Sequence, residues 1–80
     1  MSSLKIGIEE YKLDTFDEVK EDGIEWRLIL LDSHGRMYAA SYCSNKQQNF
    51  IVQTKFDITE HEVKNASVAA FCFLSVILDS

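Results

Sequence analysis

The chain has 80 residues, 46% of them hydrophobic and none of them proline, with three glycines and a formal charge of −5. A chain of this length makes one domain, 1–80, with one core and little room for a deep catalytic cleft. The hydrophobic fraction excludes disorder over most of the chain, and two cysteines are too few for a disulfide scaffold.

The charge is unevenly placed. Residues 1–25 hold eight acids (Glu9, Glu10, Asp14, Asp17, Glu18, Glu21, Asp22, Glu25) against three lysines, whereas residues 26–80 hold five acids and five bases. A nucleic-acid binder needs the opposite sign to displace counterions from phosphates, so the partner expected here is a protein with a basic surface and no direct nucleic acid. The first residues carry no apolar run of signal-peptide type, and Cys43 and Cys72 read as small buried thiols of a reducing compartment. A cytoplasmic location is expected.

In chain order, Leu4, Ile6 and Ile8 alternate with Lys5, Gly7 and Glu9, the period of a strand with one buried face. The apolar parity flips at Tyr11 and Leu13, which predicts a bulge or a strand end. Residues 14–23 admit two readings. Thr15 and Glu18 could cap a single-turn helix closed by Gly23, or Asp22-Gly23 could turn a hairpin; the strand character of Ile24 onward favours the hairpin. Ile24 to Leu31 alternates and then becomes apolar on both faces, as in a central strand. Asp32-Ser33-His34-Gly35 is a type I turn sequence. Arg36 to Cys43 resumes as a strand, Ser44 to Asn49 is a polar loop, and Phe50 to Phe56 is a further strand.

The last element is a helix over 60–78. Thr59 is its N-cap, Glu62 completes a capping box, and Ile58 and Val63 form a hydrophobic staple. The fold expected is therefore α+β, an antiparallel sheet of about four strands followed by one C-terminal helix packed on it.

That helix is apolar nearly all round. Val63, Ala66, Ala70, Phe73, Leu74 and Ile77 form one stripe for the sheet, which leaves Val68, Phe71, Cys72, Val76 and Leu78 facing outward. Either a curved sheet wraps the helix or a second chain covers it; the reading adopted is a homodimer with those five residues at its interface. The apolar stretch is shorter than the roughly 20 residues needed to cross a bilayer, and no membrane association is expected.

No constellation with catalytic or metal-binding spacing is present. His34, His61, Cys43 and Cys72 lack the spacing of a zinc site, and the acids of 9–25 are bunched among lysines rather than set singly in an apolar pocket. No enzyme activity, cofactor or metal is expected. The acidic run reads either as a solvated edge that blocks strand-to-strand aggregation or as a partner-binding face made of Glu9, Glu10, Tyr11, Asp14, Phe16, Asp17, Glu18, Glu21, Asp22, Glu25 and Trp26, with the aromatics as anchors. In its general character, short, acidic and without catalytic signature, the chain resembles the small accessory inhibitors that phages and mobile elements direct against host nucleic-acid enzymes, such as anti-CRISPR and anti-restriction proteins. The likeness is one of composition and implies a viral accessory protein with an anti-defence role, inhibiting or modulating a basic, nucleic-acid-handling protein. The alternative is a homo-oligomeric structural or regulatory subunit that pairs through its C-terminal helix.

Overall fold

The computed structural model describes residues 3–46 and 49–79. It shows an α+β fold, an antiparallel sheet with one C-terminal helix packed on it. The sheet has five strands rather than four: β1 (Ser3–Ile6), β2 (Glu9–Glu21), β3 (Gly23–Asp32), β4 (Met37–Cys43) and β5 (Ile51–Gln53). They lie side by side in chain order, each antiparallel to its neighbour.

The extra strand comes from the parity flip before Tyr11. Gly7, at φ 62°, reverses the chain, so the flip is a hairpin between β1 and β2. Ile8, which continues the alternating pattern in the sequence, sits in that turn and is 95% exposed. A bulge does occur, but later, where the β2–β3 register shifts between Leu13 and Thr15. The shift restores the buried face: Tyr11, Leu13 and Phe16 lie opposite Asp32, Leu30 and Leu28, and paired residues in an antiparallel ladder share a face.

Residues 14–21 continue as strand, so the hairpin reading holds and the capped single turn at Thr15 is set aside. Gly23 at the tip has φ 137°, and the Asn45 side chain occupies the space that a Cβ there would need. At the next turn the Gly35 N–H donates to the Asp32 carbonyl at 3.0 Å and the Asp32 N–H donates to the Arg36 carbonyl at 3.1 Å. The polar loop begins as a 3-10 turn over Ser44–Lys46, and Gln47 and Gln48 of that loop lie outside the described residues. The strand expected over 50–56 shortens to Ile51–Gln53, paired with Ala39–Ser41. Phe50 still enters the core and Phe56 packs against its margin.

The helix α1 runs over Glu60–Asp79. Its start follows the sequence signal: the Thr59 N–H donates to Glu62 Oε1 at 2.9 Å and the Glu62 N–H donates to Thr59 Oγ1 at 3.2 Å. These bonds satisfy two donors that the first turn would otherwise leave without partners. Ala66, Ala69, Ala70, Phe73 and Leu74 are buried against Tyr11, Leu28, Leu30, Tyr38, Ala40 and Phe50 of the sheet side. Small alanines let the helix lie close to the sheet, and the larger Phe73 and Leu74 fill the space beyond them. Ala69 joins the expected stripe, while Val63 and Ile77 stay half-buried.

The sheet does not wrap the helix. Val68, Phe71, Val76 and Leu78 are exposed and Cys72 is half-buried. Within its 20 residues α1 also holds an 18-residue window of mean hydropathy 1.2, the length and composition of a membrane-crossing helix. In this fold Ala66, Ala69, Ala70, Phe73 and Leu74 form one side of the domain core.

Candidate interaction surface

The pleat sorts the acidic segment onto two faces. Because Leu28, Leu30 and Asp32 point toward the helix, their register partners and alternate neighbours do too. Glu9, Tyr11, Phe16, Glu18 and Trp26 therefore lie on the helix side, and Glu10, Asp17, Glu21 and Glu25 on the open side. Asp14 sits at the bulge and Asp22 at the hairpin tip. Segment 9–25 is thus one ribbon with two chemically different sides.

The predicted aromatic anchors do not stand among those open-side acids. Tyr11 is fully buried, stacked edge-on to Tyr38 at 5.6 Å, and belongs to the core rather than to a contact surface. Phe16 and Trp26 are half-buried against the core. Trp26 lies 5.7 Å from Tyr42, which lies 5.4 Å from Phe50, a row of rings on the helix side. Both cysteines are half-buried rather than buried.

Residues 14–27 at the outer end of the ribbon carry six carboxylates against Lys20 and Arg27. Each base pairs within its own face: Lys20 Nζ lies 3.2 Å from Glu18 Oε1, and Arg27 Nε lies 3.2 Å from Glu25 Oε1. The hydrogen bond from Arg27 holds the Glu25 carboxyl below its ordinary range. Exposed pairs of this kind add little stability, and four carboxylates of the stretch remain in excess.

A second feature of the open side was not singled out in the sequence. Since α1 covers only the other face, Ile29 and Leu31 of the central strand are half-buried, and Met37 and Ile51 beside them are each 55% exposed. Ala39 completes the strip, opposite Ile29. The sequence carries a trace of it, since Leu28–Leu31 is apolar at every position, yet that run suits a strand covered on both sides equally well. Next to this strip an open groove of about 550 Å3 is lined by Met37, Ala39, Gln53, Thr54, Lys55 and Phe56.

The third feature is the polar node at the β3–β4 turn. Asp32 is buried, and its Oδ1 accepts from the His34 and Arg36 backbone N–H groups at 2.8 and 3.0 Å. Its Oδ2 accepts from Arg36 Nε at 2.8 Å and from the Tyr38 hydroxyl at 2.9 Å. Burial pushes this carboxyl up, but the four hydrogen bonds outweigh it and hold Asp32 below its ordinary value. Burial and the adjacent Asp32 acceptor push the Tyr38 hydroxyl well above its ordinary range. Arg36 also covers the Phe56 ring at 5.1 Å. Glu9, Asp32 and His34 bring ligand-type atoms within 4.8 Å of one another, but every lone-pair position of Asp32 is already taken by a protein donor. The node holds the turn; an Asp32 kept ionised in this way has no proton to give as a general acid.

The outward side of α1 is divided along its length. His61 and Lys64 occupy its first two turns, and Val68, Phe71, Val76 and Leu78 its last three. No protein-family model matches the chain, and comparison with the curated proteins and with the solved structures gives no match.

Proposed function

We propose that this protein is a small interaction module that binds a basic protein through the open face of its sheet, as an inhibitor or modulator of a nucleic-acid-handling partner. The observation that carries the reading is the shared face. Asp17, Glu21 and Glu25, in excess over Arg27 and Lys12, project on the same side as the uncovered Ile29, Leu31, Met37 and Ile51. A patch with an apolar centre and charges at its margin combines desolvation energy with electrostatic selection of the partner's sign. The general character described above, including its likeness to phage and mobile-element inhibitors and its free thiols suited to a reducing cytoplasm, fits the same role. No catalytic step and no cofactor is part of it.

The test compares the wild-type chain with Asp17→Lys/Glu21→Lys/Glu25→Lys as bait in a cell lysate at low and high salt. The wild type should retain a small set of basic proteins that elute as salt rises, and the reversed protein should bind them about 100-fold more weakly, since facing charges of the wrong sign cost several kcal/mol. Retention of the same set by both baits would refute the acidic-face reading.

A second reading rests on α1. Val68, Phe71, Val76 and Leu78 are 41 to 67% exposed and fall on one side of the helix, which favours a homodimer formed through that side. If so, Phe71→Glu leaves the fold intact and weakens self-association by about 100-fold, or about 3 kcal/mol. Light scattering across a concentration series decides it. A wild-type chain that stays monomeric at every concentration removes this reading, and the sheet-face proposal is untouched.

A further inference from the structure

Pairing of β1 with β2 ends at Ser3 opposite Lys12. Beyond that point β2 continues to Glu21 with β3 on one side and, among the described residues, no strand on the other. Thr15–Glu21 is thus a strand edge of seven residues, about 23 Å long at the usual rise of a strand. The opposite edge of the sheet, β5, offers three residues.

Resting on the reading of this ribbon as the partner-binding element, we propose that the Thr15–Glu21 edge takes up an extended, lysine- or arginine-bearing strand of the partner as a sixth strand of the sheet. A free edge presents alternate backbone N–H and C=O groups that an incoming strand can pair with, and side chains at alternate positions then set the specificity. The charges on this edge choose the sign of the occupant. Asp17, Glu18 and Glu21 stand against the single Lys20 in these seven residues, and all four are exposed.

A second copy of the same edge is not favoured by the same charges. Symmetric antiparallel registers centred on residue 17 or 18 set a carboxylate opposite itself, and in the register centred on 19 the Asp17–Glu21 pairs offset the Glu18–Lys20 pairs, so the charges favour none of the three. Like charges directly opposite destabilise a ladder, whereas opposite charges support it. The bulge at Asp14 distorts the start of the edge, another feature that discourages indiscriminate pairing.

The register gives the incoming strand a pattern. On the open side Asp17 and Glu21 are four residues apart with Val19 between them, so the facing positions call for bases four apart flanking a β-branched residue. On the other side Phe16 calls for an apolar residue, while Glu18 and its partner Lys20 leave that side without net charge.

The probe is a short fluorescent peptide of alternating threonine and valine with lysines four apart, together with the same peptide N-methylated at alternate residues. The full chain is titrated with each by anisotropy, and amide hydrogen exchange is followed residue by residue. The expected result is binding of the lysine peptide, at least about tenfold weaker binding of its methylated twin, and new protection at alternate amides of 15–21. Equal binding of the two peptides without such protection would overturn strand addition and leave the acidic face standing. Failure of both peptides to bind would count against both proposals. Equal binding of a glutamate-bearing analogue would overturn the charge rule for the occupant.

Discussion

Asp32→Ala is expected to cost about 3–5 kcal/mol, a large share of the stability of a domain of this size. The substitution removes four acceptor interactions at once. It leaves the Tyr38 hydroxyl, which is buried, and two turn N–H groups without partners, and buried donors left in this way carry the full desolvation penalty. The loss of attraction to Arg36 contributes less, because that guanidinium is partly exposed. Asp32→Asn keeps one carbonyl oxygen for the two backbone donors and should cost about 1–2 kcal/mol. Urea unfolding of the three proteins measures both values. A loss below about 1 kcal/mol for the alanine variant would show that the node is not what holds the turn.

The same node predicts an acid dependence. A carboxyl whose folded value lies below its ordinary value contributes stability that is present above that ordinary value, here 3.8, and is lost as pH falls through the folded one. Unfolding free energy should therefore decline on acidification below about pH 4, and decline less steeply in Asp32→Asn. Glu25 and Glu62 are also held low, by hydrogen bonds from Arg27 and from Thr59 respectively, so part of the slope survives the substitution.

Leu30→Ala should cost about 3–4 kcal/mol, and Ile29→Ala about half as much. The two residues are neighbours in the central strand, but Leu30 is fully buried beneath α1 while Ile29 faces the open side and is half-buried. Truncating Leu30 leaves a cavity enclosed by the helix; truncating Ile29 leaves a dent that water can enter. Thermal unfolding of the two variants separates the faces. Equal losses would mean that the open side is itself covered in solution, which contradicts a free sheet face waiting for a partner.

Much of the fold is legible in the residues because its turns and caps use strong local signals. Asp32-Ser33-His34-Gly35 and the Thr59/Glu62 pair each specify geometry within four positions, and both appear as the sequence suggests. Gly7-Ile8 was harder, since Ile8 keeps the apolar alternation although it stands in a turn. Only the positive φ of Gly7 distinguishes the two cases, and glycine does not announce which conformation it adopts. The early end of β5 depends on what pairs with it, and Thr54 and Phe56 fit a strand pattern equally well.

The candidate surface was legible in part. That 9–25 is acidic follows from composition, but a contiguous run in sequence becomes two faces once it is a strand. Period two separates Asp17 from Phe16 and Glu25 from Trp26, and the bulge at Asp14 decides which parity faces inward. Tyr11 looked like an anchor among charges and is instead part of the core, because its register partner Asp32 is buried. The uncovered strip of Ile29, Leu31, Met37 and Ile51 could not be located from the sequence, since nothing local says that one helix must serve a sheet with two greasy sides.

The side-by-side order of the strands bears on how the chain assembles. Every ladder joins elements adjacent in sequence, so each closes a short loop and the sheet can grow hairpin by hairpin, a topology associated with fast folding. The helix follows all five strands and supplies the cover for Leu28, Leu30, Tyr38 and Ala40. In chain order, then, every strand of the sheet precedes the helix that covers its inner face. Charges along an open edge, such as the acids of the outer ribbon, hinder strand-to-strand adhesion between sheets that have not yet gained their cover.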